Sequence, residues 1–376
     1  MMNTDPIAVA VRAEMQAQQL DQAVLARAAD VPESALASFL ERGGEFSTAK
    51  LARVADALGL DDLALLDGHR KPLLRPSVFL RHAASWQDYS DQDTAVLDAA
   101  LQQARAFRDI RGALGAVPLV GFPRTDAPAR PAQAARAGYA LAARLRSALG
   151  LALDVAVPDI RALVEDRLGV LVLVRPLKTA GATAMTVCAP DGVAALVLNS
   201  EDVRRRENNL LARVHLAHET CHALFDPVAT GRLNLVLERE GSEAASANEQ
   251  RAGAFAAEFL MPEAGLGALL GSPRKSLGLA AAEDVVQQVR ANFGVPREIA
   301  VFHLHHRRFL TDALRDQLKT GKAPNVGHKT SLPEPGGPSI AATELARRAM
   351  DEALISSGAA RLALGIHALE PLPWLR

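Results

Sequence analysis

Residues Leu211 to Pro227 read LARVHLAHETCHALFDP, and the fold is decided by how this stretch is read. It is a helical run with an H-E-x-x-H pattern at its centre, His218-Glu219-Thr220-Cys221-His222. At about 100° per residue, His218 and His222 share one helix face, one turn apart. Two imidazoles so placed can hold one zinc ion at roughly 2.0–2.1 Å each. Glu219 lies about 100° further round the helix, beside the ion and not among its ligands. From there it can take a proton from an activated water.

Two histidines leave a tetrahedral site one protein ligand short. The candidate is Glu249, in the stretch Asn248 to Pro262, NEQRAGAFAAEFLMP. This stretch resembles the second signature of the ImmA/IrrE metallopeptidases, which reads like E-x-x-A-N-x-F-A-A-x-L-L-M-P. Glu249, Ala252, Phe255, Ala256, Ala257, Leu260, Met261 and Pro262 fall on matching positions. Gly253 stands where the pattern has Asn, and Phe259 where it has Leu. The missing Asn removes an anchor for the local backbone and leaves ligation untouched. By this resemblance Glu249 is the third ligand of a Zn2+ ion. The separation from His222, 27 residues, suits a second helix folding back beside the first. The resemblance also implies a zinc metallo-endopeptidase whose substrates are helix-turn-helix repressors. Their cleavage releases genes for stress, DNA-damage or phage responses.

Composition sets the bounds. The 376 residues allow two or three domains, and 42 Lys+Arg against 43 Asp+Glu leave a net charge of −1. No global basic field therefore argues for nucleic acid. Two cysteines make no disulfide framework, which favours a reducing compartment. No signal peptide is apparent at the start, and no apolar run approaches the ~20 residues of a membrane span. The expectation is a soluble cytoplasmic protein without membrane contact.

The fold class expected is α+β and mostly helical. Residues 1–68 read as five short helices whose order resembles a phage-repressor (Cro/C1, Xre-like) helix-turn-helix, with Pro32 opening the recognition helix. Fold is not function, however. The candidate recognition helix offers Glu33, Ser34, Ser38 and Glu41, with Arg42 only at its end. Residues 1–68 hold five Lys/Arg against eleven Asp/Glu, a net charge of −6. An acidic module is poorly made for neutralising phosphates, so protein contact or homodimerisation is favoured over autonomous DNA binding.

Residues 69–134 read as a connector, with a long amphipathic helix over Asp91 to Leu114 and a Pro-rich linker bearing Arg124 and Arg130. Arg136 follows just beyond. Residues 135–318 read as the peptidase domain, 319–339 as a mobile linker, and 340–376 as a helix and tail. Within the domain, helices precede a strand at Val170–Val174. A hairpin follows, formed by Thr183–Ala189 and Val193–Leu198 around Pro190-Asp191-Gly192. A strand bordering the cleft could pair with substrate backbone. His303, His305 and His306 lie on one late helix and are read as packing or solvated residues.

Under period-two alternation Thr186 and Cys188 share one face of their strand. A thiolate is a good zinc ligand, so Cys188 is a candidate inhibitory fourth ligand that would displace the catalytic water. Cys221 is read as a core residue. For the oxyanion, Tyr139, Arg251 and His303 are weak guesses. The substrate expected from the resemblance is a repressor, and a nucleic-acid trigger, single-stranded DNA for instance, stays open. The competing class is a DNA-binding regulator whose zinc domain senses a ligand or metal without proteolysis. An intact Glu219 argues against it.

Overall fold

The computed structural model describes residues 5–17, 20–42, 46–58, 60, 62–66, 68, 77–80, 91–116, 122–179, 182–189, 191–203, 210–227, 235–237, 243–273, 277–321 and 330–375. The chain divides into two compact units. The smaller holds the described residues up to Ser77, with Ala189, Asp191 and Gly192.

In the smaller unit, five helices gather round one apolar core: α1 (Pro6–Ala17), α2 (Gln22–Ala28), α3 (Glu33–Arg42), α4 (Thr48–Leu58) and α5 (Asp62–Leu66). Ala8, Val11, Leu25, Leu36, Val54, Ala55 and Leu65 are its fully buried members. Asp21 caps α2 by accepting from the Val24 amide at 2.7 Å. Pro32 precedes α3, and its carbonyl accepts from the Leu36 amide. Between α2 and α3 the turn includes Asp30 in the left-handed region, φ 50, which an Asp tolerates better than most residues.

The larger unit is built on a sheet. Among the described residues its order is β2 (Leu171–Arg175), β4 (Ala194–Asn199), β3 (Ala184–Cys188), β1 (Ser77–Leu80), β5 (Leu235–Leu237). β2 runs parallel to β4, β3 antiparallel to it, and β1 parallel to β5. Met185 sits opposite Val197 and Cys188 opposite Ala194. Nearly every residue of β2, β3 and β4 is buried, so both faces are covered. On one side lies α6 (Asp91–Ala113), with Leu97, Ala100, Leu101, Ala104 and Phe107 turned inward. On the other lies α9 (Leu210–Phe225), buried along almost its whole length.

α10 (Glu243–Leu260) packs against α9, and α7 (Pro131–Ala148) packs against α10. The helices α11 (Glu263–Leu270), α12 (Leu279–Phe293), α13 (Arg297–His306) and α14 (Asp312–Leu318) follow. α8 (Ile160–Ala162) runs on into a π-turn, Leu163–Arg167, in which Glu165 is fully buried. Its carboxylate accepts from Arg161 at 2.8 Å, the Val172 amide at 3.0 Å and the Ser339 hydroxyl at 2.5 Å.

Two expectations change here. Part of the stretch read as a mobile linker, residues 330–339, is docked beside β2. The Gly336 amide donates to Val174 O at 2.9 Å and Arg175 to Gly337 O at 2.8 Å. Beyond it, α15 (Ile340–Asp351) and α16 (Ser357–Leu364) pack on α6. The connector helix, the sheet and the C-terminal helices therefore belong to one unit. Secondly, if Thr183–Ala189 is taken as the strand bordering the cleft, its outer side is already occupied by β1. Among the described residues, no single helix is long and apolar enough to cross a membrane.

Candidate metal centre

Two packed neighbours, α9 and α10, supply the centre. His218 and His222 stand on one face of α9, and α10 brings Glu249 to them. The His218 and His222 Nε2 atoms are 3.0 Å apart. Glu249 Oε2 lies 3.0 Å from His218 Nε2, and Oε1 lies 3.0 Å from His222 Nε2. All three ligand-type atoms fall within 4.8 Å of one another. Burial alone would raise the Glu249 carboxyl, yet the two imidazoles hold it well below the usual carboxylate range. Burial alone would lower His222, but Asp226 and Glu249 hold it well above its ordinary value. Two nitrogens and a carboxylate converging on one point, in a largely dry setting, form a donor set that fits a divalent cation.

The orientation of His222 has a visible cause. Its Nδ1 lies 2.7 Å from Asp226 Oδ2. With Nδ1–H donating there, the Nε2 lone pair is left facing the cluster. Asp226 is itself fully buried, and its other oxygen accepts from Arg251 Nη2. Arg251 also donates to Thr125 O at 2.6 Å, and Arg124 donates to Asp226 O at 3.0 Å and to Ala223 O. Arg124 thus caps the C-terminal end of α9, where a cation meets the last carbonyls. The Thr125 amide donates to Phe225 O, and the Ala127 amide to Asn248 Oδ1 at 2.8 Å. The described part of the Pro-rich stretch therefore ties the end of α9 to the start of Glu249's helix.

Glu219 points to the sheet side. The Thr186 hydroxyl on β3 donates to its Oε2 at 2.6 Å, and also lies 3.3 Å from its backbone oxygen. Cys188 shares that face of β3 but stays outside the cluster. Its thiol reaches Ala223 O at 4.0 Å, one helical turn beyond Glu219. Burial pushes it up to about 12, and its sulfur is not among the atoms that converge on the cluster. The expected inhibitory ligation by Cys188 thus has no support in the geometry. Cys221 is fully buried, in line with a core role.

The remaining candidates separate. Arg251 is occupied by Asp226 and Thr125, so it is a clamp and not an oxyanion donor. His303 is buried, with Nε2 2.9 Å from Met261 O and 3.3 Å from Glu258 Oε2. His305 pairs with Asp312 at 3.1 Å. Burial and the neighbouring His305 and His303 lower His306. No second metal cluster arises from these three among the described residues. Tyr139 and His303 do line a cavity that His218 also borders.

Asp226, Arg251's role and Thr186 were not identified in the sequence. Asp226 had a signal: it stands four residues after His222, one turn on along the same face. Thr186 could be found only by knowing the register of β3 against α9. Arg251's partner has no local signal at all.

The fold and the centre together define a helix-rich α+β domain bearing a His-His-Glu cluster suited to a metal ion. Residues 165–305 match the model of the Peptidase_M78 family, described as an IrrE N-terminal-like domain. The match covers a little over a third of the chain and takes in β2 to β4, α9 and α10. It supports the ImmA/IrrE family for this domain and a metallopeptidase-type role. No curated protein and no solved structure matches the chain.

Proposed function

We propose that the protein is a zinc-dependent endopeptidase. The observation that carries this reading is the cluster of His218, His222 and Glu249 with the carboxylate of Glu219 held beside it by Thr186. His218, His222 and Glu249 would hold the ion. When bound, zinc supplies Lewis acidity that polarises a peptide carbonyl and makes water a nucleophile near neutral pH. Glu219 takes the proton from the attacking water and passes it to the leaving amine nitrogen. Thr186, through its hydrogen bond, fixes the rotamer of Glu219 for both transfers. Asp226 keeps the Nδ1 proton on His222, and Arg251 and Arg124 keep Asp226 in place. A site serving structure or sensing alone has no use for a carboxylate poised as a base.

The substrate class we infer is a helix-turn-helix repressor, cut in the cytoplasm so that a stress, DNA-damage or phage-defence operon is released. The resemblance of the metal signatures to the ImmA/IrrE peptidases supports this. The N-terminal five-helix unit, read as Xre-like, then serves for docking to such a partner or for homodimerisation. Its net charge of −6 over residues 1–68 disfavours phosphate binding. The test is to incubate the zinc-loaded protein with the repressor encoded nearest its gene, with and without single-stranded DNA. Cutting at a defined bond supports the reading, and DNA dependence identifies the trigger. An intact repressor in both conditions, with tight ligand-dependent DNA binding by the protein, would favour the non-proteolytic regulator.

A further inference from the structure

Next to the metal cluster, α7, α10 and α13 enclose a cavity of about 650 Å³. That is within the roughly 300–1,000 Å³ of pockets that bind small ligands. Its wall is shared with the cluster, because His218 is one of the lining residues. Tyr139, Val214, Ile299 and Phe302 give it a mainly apolar surface, into which Arg136 and His306 also enter. One side is held firm before any ligand arrives. Arg307 lies 4.0 Å from the Tyr139 ring centre and His303 packs edge-on to that ring at 5.8 Å. Arg307 is fixed in turn by Glu258 and Glu263.

Gly253 completes the lining, at the position where the second signature departs from its pattern by losing a side chain. A Cβ built there meets nothing within 4 Å. The absence of a side chain leaves space in the cavity; no backbone approach demands glycine at this point. Gly253 is therefore a place where cavity size is set without cost to the packing of α10.

We propose that this cavity is the specificity pocket for a bulky apolar side chain, of the Phe or Leu kind, beside the bond that is cut. The proposal rests on the peptidase reading above. A residue seated in the pocket touches the wall formed by His218, so the adjoining peptide bond is carried to the metal cluster. The apolar wall disfavours small side chains, because they leave the pocket half-filled.

The test uses the full chain and peptides that differ only at one central residue. With the zinc-loaded wild type, kcat/KM for Phe or Leu should exceed that for Ala by about 100-fold or more. Gly253→Leu should cut that preference by about tenfold. Phe302→Ala, which widens the pocket from another helix, should likewise weaken selection for Phe, and it serves if Gly253→Leu does not fold. Calorimetry with Glu219→Gln gives an independent readout, in which the Phe peptide should bind at least tenfold tighter than the Ala peptide. Cleavage of all peptides at equal rates, unchanged by either variant, would overturn the pocket. No cleavage of any peptide by the wild type would overturn the peptidase reading instead. The binding arm then decides the pocket alone: a retained preference for Phe supports it, and equal binding overturns it.

Discussion

At the residue scale, His222 can serve as an Nε2 ligand only while its proton sits on Nδ1, and Asp226 at 2.7 Å holds it there. Asp226→Asn keeps the shape but loses the charge, so zinc affinity should fall about 10–100-fold in a chelator competition titration. An unchanged affinity would mean that the Asp226 contact does not tune the ligand. Thr186→Val removes the hydroxyl that donates to Glu219 Oε2 while keeping its volume close. We expect kcat to drop by about tenfold or more with zinc content and KM little altered, since only the base is misplaced. His218, Glu219 and His222 were legible because helix geometry alone puts them together. Glu249 needed the resemblance, since nothing local to residue 249 says which helix it faces. Period-two alternation puts Thr186 and Cys188 on one face of β3, and both reach α9. Which of the two meets Glu219 is a matter of strand-to-helix register, which no single segment encodes.

At the scale of elements, α7 and α10 pack closely at Gly138. A Cβ on Gly138 would sit 2.3 Å from Arg251 O and 2.9 Å from the Phe255 amide nitrogen, both of them backbone atoms that cannot swing aside. Gly138→Ala should therefore lower stability by roughly 1–3 kcal/mol, read as a drop in denaturation midpoint. Because Arg251 is at the contact, zinc affinity should fall with it. Buried arginines close other helix ends in the same spirit. Arg213 donates to Gly294 O at 3.0 Å and Pro158 O at 3.1 Å, and Arg146 to Phe259 O at 2.7 Å. Such residues read as surface charges in a sequence, and only the tertiary structure reveals the carbonyls they satisfy.

The link from α12 to α13 titrates. Hydrogen bonds from Arg297 hold the Glu283 carboxyl down to about 2. A depressed carboxylate stabilises the fold above its unfolded value and loses that contribution as pH falls through the folded value. The urea midpoint of the wild type should thus exceed that of Glu283→Gln at pH 7, by a small margin because the pair is partly exposed. The margin should shrink between about pH 4.5 and pH 2. A margin independent of pH would contradict the assignment.

At the scale of the whole molecule, the mostly helical α+β class and the helix–strand–hairpin–helix order followed from local signals in residues 135–225. The larger unit reaches further than that order suggested. α6 covers one face of the sheet, β1 pairs beside β3, and residues 330–339 run along β2. Each of these joins segments distant in sequence, and period and turn chemistry carry no information about such pairings. The Ser339 hydroxyl on buried Glu165 is one such joint, across 174 residues. Segments that a linear reading assigned to a linker and a tail are thus part of the frame that positions α9.

The central claim is that this frame presents a zinc ion and a proton-transferring Glu219 to a peptide bond. It is tested most directly by measuring zinc content and hydrolysis of the repressor on the same preparations of wild type and Glu219→Gln. The expected result is about one equivalent of zinc in both proteins and cutting by the wild type alone. Full zinc in both with equal cutting, or with none by either, would contradict it.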